Sequence, residues 1–336
     1  MLYCGIDEAG YGPMLGPMCS GLAAFDVEGE EAAVDLWQRL GPSVCRDLKS
    51  WRSGGGAAIA VGDSKKLKLP NASKSRHPLF HLERGVLAFL RAGGDRVASD
   101  ADLLTGLGVV LGGDPWFGGE DAALPLACDA AGLGIASNQL TAAMERSGVR
   151  LAGVRCVALE PRGYNELVGR TRTKASAAAW GIAQQLRWVR EAARSGPQGG
   201  PVRVVCDRLS GRTRYAGVLL RAFDESSEDA SVEVVREDDA QSVYRVVGDR
   251  LGDDFRVLFM SEAEGAHLPV ALASMAAKLC RELAMARLNR YFGERARGAG
   301  VELKPTAGYV QDARRWLEDC RPLLSDDERR ALIRVV

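Results

Sequence analysis

The chain has 336 residues, 46% of them hydrophobic and 26% charged, a balance that excludes a disordered polymer and fits a globular protein with its own core. Lys and Arg number 44 and Asp and Glu number 44, so any affinity for nucleic acid has to come from a local basic surface and not from a global field. No apolar run of about 18 residues is present to span a bilayer, and Asp7 and Glu8 interrupt the stretch where a secretory signal would run.

Leu2 to Asp7 is predicted as a strand that leaves no room for a domain before it, and Cys19 to Phe25 as a second strand after the Gly/Pro-rich turn from Gly10 to Pro17. Leu79, Leu82, Val86, Leu87 and Leu90 fall on one stripe, which predicts a helix from Leu79 to Arg91. The glycine-dense run at 106–119 reads as a loop or the rim of an insertion. Ala175 to Ala193 follows as an alanine-rich helix ended by SGPQGGP. Val202 to Cys206 is a central strand that delivers Asp207 at its carboxyl end, and Val232 to Val235 and Phe255 to Met260 are further strands. The longest helix is expected from Leu268 to Phe292, where good helix formers dominate. Two more are expected at Val310 to Glu318 and Asp326 to Val335, the latter opened by a Ser325/Glu328 capping box. This order predicts an α/β fold, a mixed sheet flanked by helices.

The acids carry the chemistry. Adjacent carboxylates such as Asp7 and Glu8 repel unless a cation lies beside them, and neighbouring strand side chains point to opposite faces. Either the pair is a solvated strand end, or the turn that follows redirects Glu8 toward a shared metal ion. Asp207 adds an acid at a second strand end, where an α/β sheet opens onto a site. Ser274, Lys278 and Glu282 recur at i, i+4 and i+8 on one helix face; a surface Lys278–Glu282 pair and a polar stripe facing a cleft both account for them. Four acids from three elements, with no histidine near, suit a hard divalent cation far better than zinc.

Other clusters are weaker. Arg162, Arg170, Arg172 and Lys174 form one basic group and Arg208, Arg212 and Arg214 another directly after Asp207; both resemble phosphate-positioning surfaces, and solvated loops explain the first equally well. His77 and His81 have a metal-helix spacing, but Pro78 lies between them and no third ligand is near. The glycines from Gly10 to Gly16 miss the dinucleotide-binding spacing. Trp180, Trp188 and Trp316 are expected in the core or an interface. The eight cysteines contain no C-x-x-C pair, which is the pattern of buried thiols in a reducing cytoplasm.

GIDEAGYGPMLGP at 5–17 resembles the opening motif of type 2 ribonuclease H (ribonuclease HII), usually GIDEAGRGPLAGP. GDSKKL at 62–67 is similar to that family's DSKKL loop, Asp207 after VRVVC to its third acid, ALASMAAKLCRE at 271–282 to its helix AASIIAKVxRD, and AGYVQDA at 307–313 to its late GYGT segment. All five stand in the family's order. The resemblance implies a ribonuclease H-like catalytic domain at 1–70 and 155–320, an insertion subdomain at 71–154 and a C-terminal helix at 321–336. It implies hydrolysis of the RNA strand of RNA/DNA hybrids, or of ribonucleotides embedded in duplex DNA, with no membrane and no organic cofactor. Asp7, Glu8 and Asp207 fall on metal-binding acids, and Glu282 on the fourth, which the family writes as Asp. Lys65 or Lys66 would meet the nucleic-acid backbone, Gly10 and Gly12 would present backbone groups to the ribose 2′-hydroxyl, and Tyr309 would stack beside the sugar. Tyr11 stands where the family has arginine and removes a fixed charge.

Two Mg²⁺ or Mn²⁺ ions sharing Asp7, with Glu8 and Asp207 on one each and Glu282 completing the set, would activate water and stabilise the leaving 3′-oxygen. Ser274, Lys278, Arg208 and Arg212 complete the expected substrate contacts. Two rivals stand beside this expectation: a nuclease of the same fold with another nucleic-acid substrate, and a nucleic-acid-binding module without catalysis.

Overall fold

The computed structural model describes residues 1–29, 34–195, 200–209, 211–223, 230–248 and 254–335. In chain order its strands are β1 (Leu2–Ala9), β2 (Met18–Val27), β3 (Val44–Cys45), β4 (Ile59–Ala60), β5 (Val149–Leu159), β6 (Val202–Asp207), β7 (Ser231–Glu237), β8 (Gln241–Val247) and β9 (Phe255–Met260). The helices of the first half are α1 (Leu36–Arg39), α2 (Leu48–Ser53), α3 (Ser64–Leu67), α4 (Phe80–Ala92), α5 (Asp100–Gly106) and α6 (Ala130–Arg146). Those of the second half are α7 (Pro161–Thr171), α8 (Ala175–Ser195), α9 (Ala216–Phe223), α10 (Ala263–Ala266), α11 (Leu268–Gly298), α12 (Val310–Asp319) and α13 (Asp326–Leu332).

Among the described residues seven strands form one sheet in the order β5-β2-β1-β6-β9-β8-β7. β1, β6 and β9 run parallel at its middle, and the outer pairings are antiparallel. Helices α8 and α9 cover one face over Cys4, Ile6, Val204, Cys206 and Phe259. The other face packs on α11 and α4. The expected mixed sheet flanked by helices is the architecture found.

Two glycines bring α11 onto the sheet. A Cβ on Gly5 of β1 would lie 2.1 Å from the Val270 nitrogen, and one on Gly21 of β2 would lie 2.1 Å from the Ala273 oxygen. The start of α11 therefore touches strand backbone directly, an approach that any side chain at these positions forbids.

Several elements differ from expectation. β5, β8, α6, α7 and α9 were not anticipated, and β1 runs two residues beyond Asp7. The last helix ends at Leu332; the capping box forms as expected, but Ile333 leaves the helix and bridges Leu15. Residues 196–199 of the SGPQGGP run lie outside the described residues. The segment 71–154 shares the main core through α4 and α6, and its expected boundary at 154/155 falls inside β5, which pairs with β2 from Val149 to Leu159. Buried polar anchors hold this segment in place. Glu83 accepts the N–H groups of Leu126, Ala127 and Cys128 at 2.6–3.0 Å, and Arg287 of α11 bonds Asp100 at 2.7 Å and Asp121 at 2.8 Å.

Trp316 is buried, and Trp180 and Trp188 are half-buried. His81 packs edge-on against Trp51 and Phe80, while His77 accepts the Leu79 N–H. All eight cysteines are free thiols. No helix among the described residues is long and apolar enough to cross a membrane.

Candidate active site

The sheet register brings the first acids together. β1 and β6 are parallel neighbours with Ile6 opposite Cys206, so Asp7 and Asp207 follow side by side at the carboxyl ends of strands about 4.8 Å apart. Gly5 and Val205, two residues before each, lie on the face that packs α11, and strand alternation puts both acids on that face. β9 is the next strand, with Met260 opposite Asp207. The chain leaving it turns through Glu262, held at φ 54°, into the single-turn α10. That turn sets the Ala263 N–H on Asp207 Oδ1 at 3.2 Å and brings Glu264 into the field of Asp207.

Burial and mutual repulsion push these carboxylic acids upward. Asp7 is raised well above the usual range, first by desolvation and then by Glu8, with Asp207 adding to the effect; the Ser274 hydroxyl opposes it. Glu8 is pushed up to about 7 by burial and by Asp207, against Lys65. Asp207 and Glu264 are raised too, burial first in each case. The Lys65 cation acts on Glu8, Asp207 and Glu264 alike. Glu8 feels Asp207 and Lys65 although it is still within the strand, paired opposite Ser20, and alternation aims it away from Asp7.

Glu282 stands elsewhere. Ser274 lies against Asp7 and hydrogen-bonds Ser64 at 2.9 Å; eight residues later Glu282 is about 12 Å further along the helix. Its carboxylate pairs with Lys278 at 2.9 Å and Lys68 at 3.8 Å. Lys66 pairs with Asp63 at 3.2 Å. Arg208 is turned to the β7–β8 connection, donating to the carbonyls of Asp238 and Asp239 and to Ser242 Oγ. Arg212 donates to the Arg214 carbonyl and lies over the Tyr215 ring. Of the other basic cluster, Arg162 pairs with Asp114 and Arg170 with Glu166.

The loop from Gly10 to Pro17 borders the acids and is held from beneath by two arginines that sequence reasoning missed. Arg281 donates to the carbonyls of Pro17, Leu15 and Ala307, and Arg334 to those of Gly10 and Pro13. Both are 1% exposed. Burial lowers the Arg334 pKa to about 10, so it stays protonated at neutral pH. Through the Ala307 and Gly308 carbonyls the loop is tied to the segment bearing Tyr309, which is half-exposed beside it. Arg334 sits in an apolar run (ALIRVV), a signal that a buried cation is present but not what it holds, whereas Arg281 is flanked by other charges (KLCRE) and carries no such signal. Glu264, which sequence reasoning also missed, stands four residues beyond the end of β9 and behind Glu262, without the direct strand-end placement of Asp207.

The donor set suits a hard divalent cation: carboxylate oxygens only, with repulsion among them and a Glu264 Oε2 that is buried without a hydrogen-bond partner among the described residues. Among the described residues no group of three or more His, Cys, Asp or Glu side chains is gathered closely enough to hold a metal ion.

Comparison with known protein families finds no match, and comparison with curated proteins finds none. Among solved structures the chain is similar to ribonuclease HII from Archaeoglobus fulgidus in its PCNA complex, with 15% identity, a TM-score of 0.45, and coverage of 100% of this chain and 94% of that one. It is similar to ribonuclease H2 from Pyrococcus horikoshii OT3, with 14% identity, a TM-score of 0.36, and coverage of 96% and 99%. It is similar also to Bst-RNase HIII in complex with Mn²⁺, with 14% identity, a TM-score of 0.41, and coverage of 100% and 66%. All three are ribonucleases of the HII/HIII kind, the type 2 group whose motifs the sequence resembles.

Proposed function

We propose that this protein is a divalent-metal-dependent endoribonuclease that cuts the RNA strand of RNA/DNA hybrids or single ribonucleotides within duplex DNA. The reading is supported by Asp7 and Asp207 at the carboxyl ends of neighbouring parallel strands, with Glu8 and Glu264 both in the electrostatic field of Asp207, beside the loop that carries the family-like motif. A phosphate-binding surface gains nothing from clustered acids unless cations lie between them and the backbone.

Asp7, Glu8, Asp207 and Glu264 would hold the metal, with Glu264 taking the place expected of Glu282. Bound Mg²⁺ or Mn²⁺ would supply an activated water and charge stabilisation at the leaving oxygen. The chain's own residues do the rest. The Ala263 N–H and the Ser274 hydroxyl orient the Asp207 and Asp7 carboxylates. Lys65 brings a positive charge to the edge of the acid cluster, where a phosphate would approach. Lys278 and Lys68 neutralise Glu282 and so keep it from adding to the repulsion.

The test is cleavage of three duplexes, all-DNA, RNA/DNA hybrid and DNA with one ribonucleotide, in Mg²⁺ or Mn²⁺. Cutting at ribonucleotides that Asp7→Ala abolishes is the expected result. A Glu264→Gln variant should lose activity by roughly 100-fold or more while Glu282→Gln stays within about tenfold of wild type. Retained activity in Asp7→Ala, or binding without cutting by the wild type, would defeat the proposal.

A further inference from the structure

We propose that Arg334, on the extended segment after α13, is the positioning residue that presents the Tyr11 and Gly12 backbone amides to a ribose 2′-hydroxyl; this rests on the ribonuclease reading above. The segment is stitched down on both sides. Ile333 bridges Leu15, the Arg334 N–H donates to the Met14 carbonyl at 2.9 Å, and Asn165 of α7 bonds the Ile333 carbonyl at 2.7 Å and the Val335 N–H at 2.8 Å. These anchors drive one guanidinium beneath the loop, where it lies over the Tyr164 ring at 4.7 Å.

No carboxylate pairs with Arg334 among the described residues; its charge is met by carbonyl dipoles. Nε donates to Pro13 at 2.9 Å and Nη2 to Gly10 at 2.7 Å, with the Tyr11 carbonyl at 3.5 Å. In a trans peptide the C=O and the following N–H point opposite ways. Drawing the Gly10 and Tyr11 carbonyls inward therefore turns the Tyr11 and Gly12 N–H groups outward. Both residues are exposed, and neither amide has a protein acceptor among the described residues. Further along the loop the amides are occupied: Met14 and Leu15 both donate to the Gly308 carbonyl, at 2.8 and 3.1 Å. Among the exposed residues of the loop the donors without a protein acceptor are therefore the successive Tyr11 and Gly12 amides, and two successive N–H groups of a turn can together take one oxygen. The fork of Arg334 spans two carbonyls, which a lysine point charge cannot do.

The experiment measures binding by fluorescence anisotropy, with Ca²⁺ in place of Mg²⁺, of a DNA duplex containing one ribonucleotide and of its all-deoxy counterpart. Wild type, Arg334→Met and Arg334→Lys are compared. Wild type should prefer the ribonucleotide duplex by about tenfold, the worth of a well-made hydrogen bond. Both variants should lose that preference while holding the all-deoxy duplex as wild type does. An undiminished preference in the variants, or an equal loss for both duplexes, overturns the inference and leaves the ribonuclease reading standing. A wild type that neither prefers nor cuts the ribonucleotide duplex overturns both. If Arg334→Met does not fold, Arg334→Lys, which keeps the buried charge, decides by the same ratio.

Discussion

Glu8 links the site to the stability of the fold. Its folded pKa is raised from 4.5 to about 7 by burial and by Asp207, so its contribution to stability is fully present below pH 4.5 and is lost as pH rises through 7. The melting temperature of the cation-free protein should fall between pH 5 and 7.5, and Glu8→Gln should flatten that slope; a wild-type curve already flat over this range would contradict the assignment. By the same repulsion Asp7→Asn should raise the urea denaturation midpoint of the cation-free protein while abolishing cleavage. Asp7, Glu8 and Asp207 were legible because each closes an apolar run, and the register then sets Asp7 beside Asp207. Glu264 was passed over because Ser261–Glu262–Ala263–Glu264 lacks the length to declare an element, and its placement depends on a left-handed Glu262 that no pattern announces. Glu282 drew notice through its helical spacing with Ser274, but shared helix face is not shared depth: two turns carry it away from the strand ends.

At the scale of elements, α11 and the two strands beneath it behave as one unit. Gly21→Ala would drive a methyl into the Ala273 carbonyl, and neither partner is a flexible side chain that can step aside. The expected cost is about 3 kcal/mol or more, measured as a loss of denaturation midpoint; a neutral Gly21→Ala would show that the helix can stand off from the sheet. The long helix and the central strands were readable from apolar runs. β5 was not, because Arg150, Gly153 and Arg155 interrupt it, a pattern that an edge strand tolerates with one flank in water. In β8 the buried positions Ser242, Tyr244 and Val246 do alternate, yet a serine at the first of them weakens the apolar signal.

For the whole molecule, the segment 71–154 is the point where motif matching and packing part company. No motif falls in it, which made it look separable, yet its helices and the start of β5 complete the main core. A chain lacking residues 71–148 should show no cooperative melt, whereas a soluble, cooperatively folding deletion would establish it as an appendage. Arg287 is the bolt between the two regions: its buried pairing with Asp100 is worth testing with Arg287→Ala, for which the expected loss is about 3–5 kcal/mol because an uncompensated carboxylate is left behind. The position of β1 and β6 inside the seven-strand sheet has a further effect. Backbone flanked by paired neighbours on both sides exchanges its amide hydrogens only when large parts of the chain open. The strands that carry Asp7 and Asp207 should therefore be among the last to take up deuterium, and a denaturant titration should find catalysis and tertiary structure vanishing together, without an inactive native-like stage.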